Sequence, residues 1–334
     1  MYARTPACRA GVLTLGDGQG LAWEESGNPA GIPALFLHGG PGSGLGQRGY
    51  VQSFDPVRYR VIGFDQRGCG RSWPLATDPA HDLSANTTPR LIADIEELRA
   101  HLGIASWLVS GVSWGTTLAL AYALAHPARV RGLILVAVTT TSRREVDWIT
   151  EGVGAVFPEA WDRLASHAEH AGIGYQRGGG RLVEAYRRLL VGSDPAVRAA
   201  AAAEWMLWEA THVSLAAGGV HADPRPPEAQ QVCATLVTHY WSHDGFCQPP
   251  ILQRVGEIAH LPAVLIHGRS DISSPALTAW ELQRRWPGSE LIVDAGSGHG
   301  STAMAEIWCS ATDRFAQERP AEGPETGPGE GAQV

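Results

Sequence analysis

The sequence contains no lysine; all 26 of its basic residues are arginine. Against a background rich in Ala, Gly and Arg, this absence reads as the codon bias of a GC-rich genome. It does close one reading. A glycine-rich loop at His38-Gly39-Gly40-Pro41-Gly42 has no lysine after it and does not meet G-x-G-x-x-G, so a nucleotide-phosphate cradle is not expected there. Cysteine is scarce: Cys8, Cys69, Cys233, Cys247 and Cys309 are odd in number, widely spaced and without a CxxC pair, which suggests neither a disulfide framework nor a zinc site. Met1 to Leu15 lacks an apolar run of signal-peptide length, and no stretch approaches the ~20 apolar residues of a membrane span. Basic residues never cluster and the net charge is −8, so neither nucleic acid nor a membrane is an expected partner. No internal repeat is visible. The expectation is a soluble, cytoplasmic protein.

What is present is globular. Of 334 residues 44% are apolar and 18% charged, enough for one large domain or a domain with an insertion. Val12 to Glu24 alternates around Gly-Asp-Gly, as a hairpin does. Short apolar runs at 34–37, 60–64, 107–109, 133–138, 263–267 and 291–293 read as strands. Helical spacing at 88–102, 116–125, 275–286 and 302–315 reads as helices between them. Strands alternating with helices imply a mostly parallel sheet covered on both faces. From Thr139 to about Pro250 the rhythm is helical throughout. The expected organisation is therefore a core of residues 1–139 and 251–318, an inserted helical cap at 140–250, and a disordered tail at 319–334, where Pro, Gly and Glu dominate.

Gly111-Val112-Ser113-Trp114-Gly115 fits G-x-S-x-G, the turn that presents a nucleophilic serine in the α/β-hydrolase fold. A chain of this composition offers roughly 0.3 chance matches, so the context carries the weight. This single match lies between an apolar strand and an apolar helix. A strained serine backbone leaves no room for a Cβ on either side, hence the glycines. A serine hydroxyl needs a base, and in this fold the partners follow in the order Ser, acid, His. His299, in Gly296-Ser297-Gly298-His299-Gly300, follows the last strand. Asp271 follows the strand before it. Both fall beyond carboxyl ends of strands, where a parallel sheet places its site. Asp294 is the rival acid, at a strand end. The expected oxyanion donors are the backbone N–H groups of Trp114 and, from the glycine-rich loop, Gly40. His38 is expected to brace that loop.

Five segments together resemble the proline iminopeptidase (prolyl aminopeptidase) family: residues 38–42, Phe64-Asp65-Gln66-Arg67-Gly68-Cys69-Gly70-Arg71-Ser72, residues 111–115, His267-Gly268-Arg269-Ser270-Asp271 and Ala311-Thr312-Asp313-Arg314-Phe315. The resemblance spans residues 10–316. It implies removal of one N-terminal residue, preferably proline, with cap carboxylates holding the free amine. Trp205-Met206-Leu207-Trp208-Glu209 is similar to the family's Trp-x-x-Trp-Glu and puts Glu209 in that role. Val136 stands where the family usually has Arg, and Val237 where it usually has a second Glu. With Trp205, Trp208 and Tyr240, these valines are expected to line a substrate pocket less charged than the family's. Such a pocket suits relatives that remove an aminoacyl cap from a large apolar amine in macrolactam polyketide biosynthesis.

The expected function is thus hydrolysis of an amide that bears a free α-amine, with a peptide or a bulky apolar amine as leaving group. Ser113 serves as nucleophile, His299 as base and Asp271 as its orienter, and no metal or cofactor is needed. An esterase or lactonase with the same triad is the alternative. A non-catalytic receptor could dispense with a complete triad. Epoxide hydrolase or dehalogenase chemistry normally needs an Asp where Ser113 stands.

Overall fold

A computed structural model describes residues 1–213 and 223–317. The tail expected at 319–334 lies outside the described residues. Among the described residues, eight strands form one sheet: β1 (Ala7–Thr14), β2 (Gly20–Gly27), β3 (Ile32–Leu37), β4 (Tyr59–Phe64), β5 (Trp107–Val112), β6 (Val130–Val136), β7 (Ala263–Gly268) and β8 (Ser289–Asp294). Their order is β1-β2-β4-β3-β5-β6-β7-β8. β2 runs antiparallel to β1 and β4, and every other neighbouring pair is parallel. The helices are α1 (Thr88–His101), α2 (Trp114–Ala125), α3 (Arg143–Thr150), α4 (Pro158–His170), α5 (Leu182–Leu190), α6 (Pro195–Val213), α7 (Pro227–Ser242), α8 (Ile251–Arg254), α9 (Leu277–Arg285) and α10 (Thr302–Gln317).

Strand alternation sorts the apolar residues onto two faces. Leu35, Leu37, Leu133 and Leu135 face a cluster shared with α1, α2 and α9. Ala34, Phe36, Ile134 and Val136 face the opposite cluster, shared with Met304 and Trp308 of α10. This is the α/β-hydrolase architecture, with helices on both faces of a mostly parallel sheet. The helices α3 to α7 lie between β6 and β7 and pack around a core of their own that includes Leu164, Tyr186, Trp205 and Trp208. α7 joins the two bodies: Val232, Leu236 and Tyr240 belong to the sheet cluster, and Cys233, Ala234 and Val237 to the helical one.

The expected elements recur with ends shifted by a few residues. In the stretch read as helical from 139 to 250, α6 runs past Trp208 to Val213. That extra turn carries Glu209 and His212.

The sheet's decisive turn lies between β5 and α2. Ser113 has φ 55 and ψ −124, a strained backbone for a non-glycine residue. A Cβ on Gly111 would lie 2.2 Å from the Gly115 carbonyl oxygen, and one on Gly115 would lie 2.1 Å from the Leu37 carbonyl oxygen. Neither neighbour is a movable side-chain end. Gly115→Ala should therefore lower stability by about 1–3 kcal/mol or more through overpacking. Gly256→Ala, whose added Cβ meets nothing within 4 Å, should stay within about 0.5 kcal/mol. Urea unfolding of the two variants checks the contrast, and equal stabilities would show that the turn can yield.

Candidate active site

Ser113 starts α2 at the carboxyl end of β5, Asp271 follows β7, and His299 follows β8. The sheet thus delivers three residues, separated by 158 and 28 positions, to one of its ends. His299 Nε2 lies 3.0 Å from Ser113 Oγ, and His299 Nδ1 lies 2.9 Å from Asp271 Oδ2. The remaining Asp271 oxygen accepts the Ser274 N–H at 3.0 Å. Asp294, the rival acid, is engaged with Ser297 instead. Burial pushes the Asp271 carboxyl upward, but the His299 and His267 imidazoles outweigh it and hold the group below its ordinary value. Burial likewise opposes a charged His299, yet the Asp271 carboxylate prevails and raises the imidazole above its usual range.

His267 ties this acid turn to the sheet. Its Nδ1 accepts the Val138 N–H at 3.0 Å, so Nε2 carries the proton and donates to the Ser274 carbonyl at 2.6 Å. Burial keeps this imidazole neutral.

The Trp114 N–H is the first of α2 and has no intrahelical acceptor. Gly39 packs on Ser113 so closely that a Cβ there would lie 3.2 Å from the serine Cβ, and Gly40 follows it at the cavity wall. Gln66 clamps this loop. Its amide donates to the His38 carbonyl, its backbone N–H donates to His38 Nε2, and its Oε1 accepts the Trp114 indole N–H, at 3.0, 3.0 and 2.9 Å. The brace expected of His38 is therefore visible, and Gln66, given no role from sequence, completes it. Burial holds His38 neutral.

These groups open into a cavity of about 540 Å³ between the sheet's end and the helical block. Val112, Val146, Ile149, Met206, Val213 and Trp241 give it mostly apolar walls. Glu209 lines it, half-buried, with Oε1 accepting the Trp205 indole N–H at 2.9 Å. Burial, offset in part by that bond, pushes its carboxyl up to about 7.

The five expected pocket residues Val136, Val237, Trp205, Trp208 and Tyr240 do not line the cavity. Each is turned away by its element. Strand alternation sends Val136 to the α10 face, and Val237 points into the core of the helical block. Trp205 and Trp208 fill that same core, Trp208 with its N–H on the Ile149 carbonyl. Tyr240 packs beneath the site, its ring 4.7 Å from that of Trp114. Trp205 touches the site only through Glu209. The argument for a weakly charged pocket from two valines therefore falls.

Sequence reading missed several lining residues: Glu145, His212, Asp223, Arg225 and Ser273. The Glu145 carboxylate is consumed by Thr139, Thr140 and Ser142, three polar residues on the loop before α3. Asp223 pairs with Arg225 through Nε at 2.9 Å. A polar residue one helical turn past Glu209 was the available signal for His212. Among the described residues no group of three His, Cys, Asp or Glu side chains is placed to hold a metal ion. No helix among them is long and apolar enough to cross a membrane.

Fold and site together define a serine hydrolase of the α/β-hydrolase class. Residues 33–302 match the model of the alpha/beta hydrolase fold family. A probable proline iminopeptidase of Streptomyces coelicolor is 41% identical over 318 residues, which cover 93% of this chain and 96% of the relative. A proline iminopeptidase of Neisseria gonorrhoeae is 42% identical over 320 residues, 94% of this chain and 98% of the relative. The chain belongs to the proline iminopeptidase family. Among solved structures, the proline iminopeptidase of Mycobacterium smegmatis superposes with a TM-score of 0.60 at 20% identity, covering 93% of this chain and 98% of that one, a likeness of fold.

Asp271→Asn should lower kcat by about four orders of magnitude, because an amide holds the wrong imidazole tautomer. Neutral His299 is the active form, so activity is lost as pH falls through its pKa. Removing the carboxylate should move that acid limb to lower pH. The residual pH profile, with burst labelling by a fluorophosphonate as the check on Ser113, tests both. An unmoved limb would separate Asp271 from His299.

Proposed function

We propose that this enzyme hydrolyses an amide whose acyl half is an amino acid with a free α-amine. Ser113 Oγ attacks the acyl carbon while its proton passes to His299 Nε2, and Asp271 steadies the imidazolium. The N–H groups of Gly40 and Trp114 take the charge that develops on the carbonyl oxygen. His299 then protonates the leaving nitrogen, the C–N bond breaks, and water activated by the same imidazole releases the amino acid from Ser113. The helical block acts as the cap, and Glu209 pairs with the substrate ammonium.

The observation that carries this reading is Glu209: a carboxylate in a mostly apolar cavity that also holds the serine and histidine. Such a group is costly to keep ionised alone and is relieved by a cation. Burial raises its carboxyl to about 7 for the same reason. An incoming ammonium restores the charged form and gains a charge-assisted hydrogen bond. The names of the relatives support an N-terminal residue as the acyl part. A cavity of about 540 Å³ with apolar walls suits a short peptide or a bulkier apolar amine as the leaving group.

The test compares alanyl 4-nitroanilide with its amine-free match, propanoyl 4-nitroanilide. Wild type should prefer the alanyl compound strongly. Glu209→Gln should cost it about thirty-fold to a few thousand-fold in kcat/KM, mainly through KM, with the propanoyl compound nearly unaffected. The pH dependence has a definite sign: as pH falls through about 7, free Glu209 takes up a proton and KM for the amine substrate rises. In Glu209→Gln that component should vanish, leaving the His299 limb. An enzyme that treats the two anilides alike, and cleaves matched esters faster, is the esterase or lactonase.

A further inference from the structure

Among the described residues, the carboxylates and imidazoles that line the cavity can be accounted for one by one, and two of them keep an unused atom. The Glu145 carboxylate is saturated by hydroxyl and N–H donors of Thr139, Thr140 and Ser142. The Asp223 carboxylate is engaged by Arg225. Glu209 Oε1 accepts from Trp205, which leaves Oε2. His212 is the second. Its Nδ1 shares a hydrogen bond of 2.8 Å with Ser273 Oγ, and its Nε2 has no hydrogen-bond partner among the described residues. The side chain is 2% exposed and lines the cavity.

A buried imidazole nitrogen without a partner is uncommon, because leaving it unpaired forfeits the bond that water would supply. Its placement says what would supply that bond. Glu209 and His212 are three residues apart on α6, so their side chains are neighbours on one helix face. Trp208 covers the other side of the ring, edge-on at 5.6 Å. The bond to Ser273 anchors the imidazole to the turn that carries Asp271 and fixes its orientation.

We propose that His212 Nε2 is a second acceptor for the substrate's α-ammonium, forming with Glu209 a two-acceptor amine site. The idea rests on the amine reading of Glu209 and adds a residue to it. Nδ1–H donates to Ser273, and the Nε2 lone pair faces the amine. Burial keeps the ring neutral at working pH, its pKa pushed down to about 3, so the lone pair is available where an imidazolium would repel the cation. A proline nitrogen offers two N–H groups when protonated, and the two acceptors take both.

Two substitutions separate this role from a bracing one. In His212→Asn the amide occupies the place of Nδ1, so the Ser273 bond survives and the Nε2 contact is lost. In His212→Gln the amide reaches the place of Nε2 and Ser273 is released. The readout is the ratio of kcat/KM for alanyl over propanoyl 4-nitroanilide. His212→Asn should lower that ratio by about ten-fold to a hundred-fold, the range for a hydrogen bond to a charged group, chiefly through KM. His212→Gln should hold it within about three-fold. The reverse order, with Asn tolerated and Gln damaging, would make His212 a brace and overturn the proposal while leaving the Glu209 reading intact. A wild type with no preference for the alanyl compound would instead defeat the amine reading itself. Fluorophosphonate labelling of Ser113 reports whether each variant is folded. Should His212→Asn fail it, the ¹⁵N resonance of His212 Nε2 in wild type decides: it should shift when L-alaninol binds and stay fixed with 1-propanol, and no shift with alaninol overturns the proposal.

Discussion

Between β5 and α2 the chain must reverse from strand to helix within a single residue, and the geometry of the site follows from that constraint. Ser113 accepts a positive φ, while Gly111 and Gly115 remove the Cβ atoms that would otherwise strike backbone. The strain costs on the order of 1–3 kcal/mol and is held by the surrounding sheet, including the bond from the Ser113 N–H to the Val136 carbonyl at 2.9 Å. What it yields is a hydroxyl raised clear of the sheet, against His299, with the first free N–H of α2 behind it.

The second layer of organisation is electrostatic, and it lies behind the glycine-rich loop. Asp65 accepts the Leu45 N–H at 2.7 Å and holds Arg71, which also reaches Glu24. Arg67 is fully buried and bonds Asp94 through two nitrogens, at 3.0 and 2.7 Å. Asn86 caps the carbonyl of Arg67, and Asn86 in turn takes His81. Buried pairs of this kind contribute little net stability, since desolvation cancels most of the attraction, but removing one partner strands the other. Their effect here is positional. The segment from Asp65 to Ser72 has one arrangement, so Gln66 stands where it can clamp both His38 and Trp114.

Carboxylates in and around the cavity illustrate how far surroundings decide chemistry. Asp271, hydrogen-bonded by His299 and the Ser274 N–H, is held below its ordinary value. Glu145 is occupied by the start of α3, where it closes the capping box with Ser142. Glu209, with one indole donor and apolar walls, rises to about 7. The same functional group lies low beside an imidazole, caps a helix or rises in an apolar cavity, according to the donors its burial leaves within reach.

Much of this was legible in the chain itself. Period-2 and period-3.6 patterns marked the strands and helices, because backbone hydrogen bonding and burial on one face impose those periods locally. The glycines around Ser113 and the positions of Asp271 and His299 after strands were readable because a steric requirement leaves a residue-level mark. Which side chains face the cavity was not. Val136 and Val237 look equally available in sequence. Strand alternation against α10 hides the first, and the roll of α7 between two cores hides the second. His212 was overlooked for the opposite reason, since its one local mark, a place one helical turn past Glu209, does not say that its ring is buried against Ser273. Local sequence determines which segments form and where the chain can turn. Only the packing of distant segments decides which atoms are buried, which donors reach them, and which are left without a partner.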